Sequence, residues 1–260
     1  MIESLNSPHI ARVKALIGSR GVKERKNTGQ FVAEGVQCAR ESLASKGGPQ
    51  IETLYLTVNG RKKIEEFAEI ERFNIVDVSD EVMKEMSETI TPQGILAICD
   101  IPTNEFSSLQ LNGARKFIYM AEDQDPGNAG TILRSADAFA MDAVITSPGS
   151  VDMYSPKVVR STAGSLWHIP VYESVPLADI LTLGVRVFSL GASGSHSLND
   201  FHISGDIAAV FGNEARGLAT GQMQESIDVV SIPMPGNAES LNLSAAASIV
   251  MYHLSNMPRK

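Results

Sequence analysis

A chain of 260 residues, 43% hydrophobic and 20% charged, suits one large folded domain or two small ones. No uninterrupted apolar run approaches the roughly 18 residues of a membrane span, and the opening MIESLNSPHIARVK lacks the apolar stretch of a secretory leader; a cytoplasmic protein is expected. The net charge of −8 argues against a uniformly basic nucleic-acid binder, the distant Cys38 and Cys99 against a disulfide framework, and five histidines without HxxxH or HExxH spacing against a metal site.

The charge is unevenly spread. Residues 1–30 carry Arg12, Lys14, Arg20, Lys23, Arg25 and Lys26 against Glu3 and Glu24, so the N-terminal segment is basic in an otherwise acidic chain. Such a segment can meet phosphates or be a solvated face followed by a charged loop; both readings stay open on charge alone. A short helix is predicted over 9–18 and a polar loop over 21–30. A strand at 31–35 leads into a helix over 36–46. Strands at 51–58, 74–78 and 94–100 then alternate with helices over 61–72 and 80–88.

Residues 101–114 (IPTNEFSSLQLNGA) lack periodicity and read as a linker between a domain at 1–100 and one at 115–260. The alternation then restarts. Strands are predicted at 116–123, 142–147, 167–172, 186–192, 206–212 and 229–233. Helices are predicted over 129–141, 156–164 and 240–254. Repeated strand–helix–strand order implies an α/β fold with a mostly parallel sheet covered on both faces. Ligands of such sheets bind beyond the carboxyl ends of the strands. Three Gly-containing loops fall there: DQDPGNAG (123–130), GNEARG (212–217) and PMPGNAESLN (233–242).

The helix after the first loop has the apolar stripe Ala129, Ile132, Leu133, Ala136 and Ala140. Arg134 points away from that stripe, to meet an anion or simply to sit on the surface. Glu214 and Arg216 fit a site or a solvated pair on a turn. Ser240 and Asn242 stand where helix caps are common. The last helix is small and apolar almost all round and is expected to be buried, in a core or at a subunit contact. No GxGxxG follows a strand, and neither a P-loop nor a GxSxG elbow is present.

Taken together, N-A-G-T-I-L-R-S-A-D-A-F (128–139), V-F-G-N-E-A-R-G-L (210–218) and I-P-M-P-G-N-A-E-S-L-N-L-S-A-A (232–246) resemble the TrmH/SpoU family of RNA ribose methyltransferases, within the SPOUT superfamily. Y-S-P-K-V-V-R-S-T-A-G-S (154–165) is similar too. Arg25, G-Q-F-V-A-E-G (29–35) and T-P-Q-G (91–94) resemble the family's smaller L30e-like α/β substrate-binding domain. The resemblance implies a C-terminal SPOUT domain whose parallel sheet carries a trefoil knot, and homodimers with the site near the subunit contact. It implies S-adenosylmethionine bound at Leu190, Gly191, Gly212, Ile232 and Leu241, largely through backbone groups. It implies catalytic or site-shaping roles for Asn128, Arg134, Glu214, Ser240 and Asn242, with Arg134 acting on the ribose 2'-hydroxyl. Arginine is effectively always protonated, so a grip on a neighbouring phosphate is as consistent as proton removal.

The reaction expected is direct in-line methyl transfer to a ribose oxygen of structured RNA, without a metal. 23S ribosomal RNA is preferred as substrate, with transfer RNA as the alternative, and a non-catalytic RNA-binding protein on the same fold as a third reading. Arg12, Lys23, Arg25 and Lys26 are the expected RNA contacts.

Overall fold

In the computed structural model, residues 1–45, 47–111, 114–191, 194, 196–212 and 227–258 are described. They form two compact units. The first comprises Met1–Thr103 and Asp152–His168, the second Asn104–Val151 and Ile169–Lys260.

The first unit opens with α1 (Pro8–Ile17), capped by the Ser7 hydroxyl accepting from the His9 amide, with Pro8 in the first turn. The expected polar loop is instead a second helix, α2 (Gly21–Thr28), closed by Gly29 at φ 67°. Lys, Glu and Arg are good helix formers, and the helix is anchored through one residue: Arg25 is only 3% exposed. At Gly21 an added Cβ would lie 2.4 Å from the Leu16 carbonyl oxygen and 2.6 Å from the Arg25 guanidinium, so the turn between the helices needs glycine.

The unit continues through β1 (Gln30–Glu34), α3 (Val36–Ala44), β2 (Ile51–Leu56), α4 (Val58–Glu65), β3 (Ile75–Asp77), α5 (Asp80–Met86) and β4 (Ile95–Asp100). Helix α4 starts earlier than expected because Thr57 caps it, accepting from the Gly60 amide at 3.1 Å. The sheet order is β1-β4-β2-β3. Strand β4 runs antiparallel to both β1 and β2, and only the β2–β3 pair is parallel. On one face Ile10, Val13 and Leu16 of α1 and Val82, Met83 and Met86 of α5 pack with Val32, Tyr55, Leu96 and Ile98.

Residues 152–168, continuous in sequence with the second half, belong to this unit. They carry α7 (Pro156–Ser161) and a single 3-10 turn, Ser165–Trp167, where a strand start was expected. Phe31 packs its ring against Tyr154 and Trp167, at centroid distances of 5.1 and 6.1 Å. The Trp167 indole donates to the Pro49 carbonyl at 3.0 Å. Cys38 and Cys99 are both free and buried.

The second unit holds β5 (Lys116–Met120), α6 (Pro126–Ala138), β6 (Ala143–Thr146), β7 (Val171–Tyr172), α8 (Leu177–Thr182), β8 (Arg186–Leu190), β9 (His196–Ser197), β10 (Ile207–Phe211), β11 (Asp228–Ser231) and α9 (Leu243–Ser255). The short α8 and β9 were not anticipated, being too brief to set up a period. Seven strands form one sheet in the order β7-β6-β5-β10-β8-β11-β9, and every pair is parallel. Strands β5, β6 and β10 are buried throughout, the burial expected of a sheet covered on both faces. Strand β10 is inserted between β5 and β8, and the chain then pairs with the other edge of β8 as β11.

Candidate active site at the carboxyl ends of the parallel strands

The register of the second sheet aligns four strand ends. Met120 pairs with Phe211, Val210 with Ser189, and Leu190 with Val230. Residues leaving β5, β10, β8 and β11 therefore emerge at one edge. The expected cofactor residues Leu190, Gly191, Gly212 and Ile232 are gathered there, and all four are half-buried. The Gly191 amide donates to the Val230 carbonyl at 3.0 Å. A Cβ at Gly191 would come within 2.8 Å of Val229 Cγ1, and one at Gly194 within 2.7 Å of the Ser231 nitrogen and Val230 carbon. Only glycine allows the chain after β8 to pass this close to β11. Ser189, 1% exposed, ends this path with a buried hydroxyl that has no hydrogen-bond partner among the described residues. Leu241 is farther along the chain and 37% exposed.

Helix α6 begins immediately beyond β5. The Asp125 carboxylate accepts from the Asn128 amide at 2.8 Å, and Pro126 fills the first turn. The inward side is Ala129, Ile132, Leu133 and Ala136, all 0% exposed. Ala140, expected in the same stripe, lies past the helix end, exposed and at φ 55°. Thr131, Arg134 and Ala138 form the outward side. Arg134 is exposed and makes no ion pair with any described residue.

Helix α9 starts at the same end. Asn242 caps it, its side-chain oxygen accepting from the Ser244 amide at 3.0 Å, the Ala245 amide at 3.2 Å and the Ser244 hydroxyl at 2.6 Å. Its amide nitrogen donates to Asn128 Oδ1 at 3.0 Å. Asn128 is 7% exposed. The capping and site readings of Asn242 are thus both satisfied by one side chain, since its two ends do different work. About two turns further, the Ser135 and Ser248 hydroxyls meet at 2.8 Å and join the two helices again. That pair was not anticipated; a small polar residue on each apolar helix was the available signal. Lys116, 4% exposed, donates to the Leu254 and Met257 carbonyls and closes the other end of α9. Ser240 is exposed. Glu214 lies outside the described residues.

Of α9, Ala247, Val250, Met251 and Leu254 are buried. Ala245, Ile249 (40% exposed) and Tyr252 (59% exposed) form an apolar stripe on another side. The expectation of burial all round therefore holds for one side within the chain.

The expected RNA contacts divide. Lys23 and Lys26 are exposed on α2. Arg12 is 39% exposed at its side chain, with Glu52 at 2.9 Å and Gln30 at 2.9 Å. Arg25 requires a correction. Its Nε donates to Asp152 Oδ2 at 2.9 Å, a second nitrogen lies 2.8 Å from the same oxygen, and a third donates to the Leu16 carbonyl. A guanidinium keeps its charge when buried, so it needs such partners to offset the loss of water, and these commit it to the interior of the first unit.

Among the described residues no cluster of His, Cys, Asp and Glu could hold a metal ion, and no helix is long and apolar enough to cross a membrane.

A family model described as the SpoU rRNA Methylase family matches residues 115–252, and one described as the MRM3-like substrate binding domain matches residues 8–97. The chain is 32% identical over 235 residues to the 23S rRNA (guanosine(2553)-2'-O)-methyltransferase RlmP of Bacillus subtilis, covering 89% of this chain and 91% of that protein. It is 27% identical over 253 residues to the 23S rRNA (uridine(2479)-2'-O)-methyltransferase of Streptomyces viridochromogenes, covering 92% and 86%. Among solved structures, the AdoMet-bound rRNA methyltransferase from Sinorhizobium meliloti superimposes with a TM-score of 0.84 at 25% identity, covering 97% of this chain and 96% of that one. The SpoU methyltransferase AviRb from Streptomyces viridochromogenes shares the fold with the same TM-score, at 24% identity and 96% and 98% coverage.

Proposed function

The chain belongs to the SpoU rRNA methylase family, and from this premise we propose that it methylates the 2'-oxygen of a ribose in 23S ribosomal RNA, with S-adenosylmethionine as donor. The observation that carries the reading is the junction of α6 and α9. Asn128 and Asn242 are hydrogen-bonded there beside aligned strand ends, and Arg134 stands on α6 without an acidic partner among the described residues.

The residues present fit the cofactor. Gly191 and Gly212 expose backbone, Leu190, Ile232 and Leu241 offer apolar surface for a purine ring, and the Ser189 hydroxyl, without a partner among the described residues, leaves hydrogen-bonding capacity at the end of β8. Bound there, S-adenosylmethionine supplies a methyl carbon made electrophilic by the adjoining sulfonium. The chain's own part is positioning. The chain's residues would hold the ribose oxygen facing that carbon, the alignment an in-line displacement requires. Arg134 grips the phosphate beside the target ribose and stabilises negative charge as it develops on the oxygen. Asn242 orients Asn128, and the pair fixes the approach of α6 to α9. Glu214 and Ser240 are assigned to shaping the substrate side.

Several further assignments belong to the same reading. The first unit serves as the RNA-binding domain, with Lys23, Lys26 and Arg12 meeting phosphates. The insertion of β10 between β5 and β8, followed by return to the far edge of β8, supports a trefoil knot. The apolar stripe Ala245, Ile249 and Tyr252 supports a homodimer through α9. Cytoplasmic placement agrees with an RNA substrate.

The test is transfer of labelled methyl from S-adenosylmethionine to unmodified 23S rRNA and, in parallel, to unmodified tRNA, followed by nuclease mapping. Label on a ribose of 23S rRNA is expected. Label on tRNA alone would replace the substrate, and no label on either would overturn the activity.

A further inference from the structure

In the first unit, α3 and the chain following α4 enclose a pocket of about 340 Å³ lined by Arg40, Leu43, Ala44, Phe67, Glu69 and Arg72, with Ala68 at its wall. We propose that this pocket is a nucleotide subsite, taking one unpaired nucleotide of the RNA substrate with its phosphate on the two arginines. The inference rests on the RNA-methylating reading and adds to it a contact remote in sequence from every residue assigned so far.

In the same unit, Arg12, Arg25, Arg61 and Arg160 each pair with a carboxylate. Arg40 and Arg72 pair with none among the described residues. In a chain of net charge −8, two guanidiniums without an ion pair among the described residues, against the single carboxylate of Glu69, leave this lining net positive and favour an anion.

The Arg40 guanidinium carbon lies 5.1 Å from the centroid of the Phe67 ring, and that of Arg72 lies 4.8 Å from the Phe73 centroid. Arg72 also donates to the Leu43 carbonyl at 2.9 Å. Stacked and tethered guanidiniums lose little freedom on binding. Each still has donors left for phosphate oxygens, because a guanidinium carries five N–H bonds. Its open face also accepts a nucleobase, as guanidinium planes do in single-stranded RNA recognition.

Leu43, Ala44, Ala68 and Phe67 provide an apolar wall for a base. Glu69, the one carboxylate of the lining, repels phosphate but accepts from the amino or imino edge of a base. The volume falls at the lower end of small-ligand pockets, enough for one nucleotide and too little for a duplex.

The experiment uses the full chain and in vitro transcribed, unmodified 23S rRNA in filter binding over a salt series, with methylation kinetics on the same transcript. Arg40→Gln with Arg72→Gln is expected to raise the RNA Kd about tenfold, to reduce the salt slope by about 1 to 2, and to place the kinetic loss in KM for RNA. Arg40→Lys keeps the charge and loses the stacking plane, so its salt slope is retained while Kd rises. Because Arg72 also holds α3, Arg40→Gln alone carries the test if the double variant is unstable. Unchanged Kd and slope in these folded variants, with Arg134→Ala still abolishing methylation of the same transcript, would overturn the subsite and leave the activity standing. An unaltered protein that neither binds nor methylates the transcript would remove the functional reading and this inference with it.

Discussion

Asn242 donates its side-chain amide to Asn128 Oδ1 at 3.0 Å while its oxygen caps α9. One residue thus links the start of the last helix to the first turn of α6. Replacing Asn242 with Ala removes a cap worth about 1 kcal/mol and a hydrogen bond to a buried side chain worth about 1 kcal/mol more. Urea unfolding should show a loss of roughly 2 kcal/mol. Asn128→Ala combined with Asn242→Ala should cost less than the sum of the single changes, by at least about 0.5 kcal/mol. Strict additivity would separate the two residues.

Arg134 sits on the outward side of α6 with no carboxylate partner among the described residues. Its removal should therefore leave stability within about 0.5 kcal/mol. Methyl transfer should fall by a factor on the order of 100 or more, the scale of lost positioning and charge stabilisation. Arg134→Lys should not restore it, because a point charge does not reproduce a bidentate grip. Calorimetric binding of S-adenosylmethionine should be retained in both variants. Wild-type turnover by Arg134→Ala would remove the residue from the mechanism.

Arg25 and its neighbours on α2 should separate by assay. Asp152→Ala strands the Arg25 guanidinium in the interior and should destabilise the chain by about 3–5 kcal/mol. Lys23→Gln and Lys26→Gln should leave the melting temperature in place and each flatten the salt dependence of RNA binding by about 1. Parent-like salt slopes in both lysine variants would return α2 to the solvated-face reading.

Burial raises the Cys38 thiol to about 11, and Cys99 is pushed up by the same cause. Both should resist a thiol-specific reagent at neutral pH in the folded chain and react on unfolding. The unfolded chain loses these protons near pH 8.5 (roughly the free-thiol value), while the folded chain holds them. The folded state then binds more protons, so these thiols make stability fall as pH rises above about 9. Urea midpoints from pH 8 to 10 in Cys38→Ala and Cys99→Ala should show a shallower decline than the parent. Rapid labelling of the native chain would show that the thiols are not enclosed as described.

Helix α6 was legible because it runs long enough to display a helical period that its burial follows, and β5 and β10 because each is a short continuous apolar run, buried throughout. The Gly-rich loops were legible because glycine and proline punctuate strand ends whatever lies around them. Helix α2 was missed for the opposite reason: it has almost no apolar side, and what holds it is one buried arginine with a partner 127 residues away. Helix α8 and strand β9 were missed because they are brief.

Local pattern and motif, then, determined the α/β alternation, the family and the chain positions of Asn128, Arg134, Gly212 and Asn242. They did so because period, turn chemistry and motif spacing are properties of neighbouring residues. Tertiary structure decided that Arg25 turns inward, that residues 152–168 pack with the first unit, that β10 enters between β5 and β8, and that Asn128 meets Asn242 across 114 positions. Those outcomes depend on which distant groups satisfy a buried charge or hydrogen bond, and that is settled only when the chain has packed.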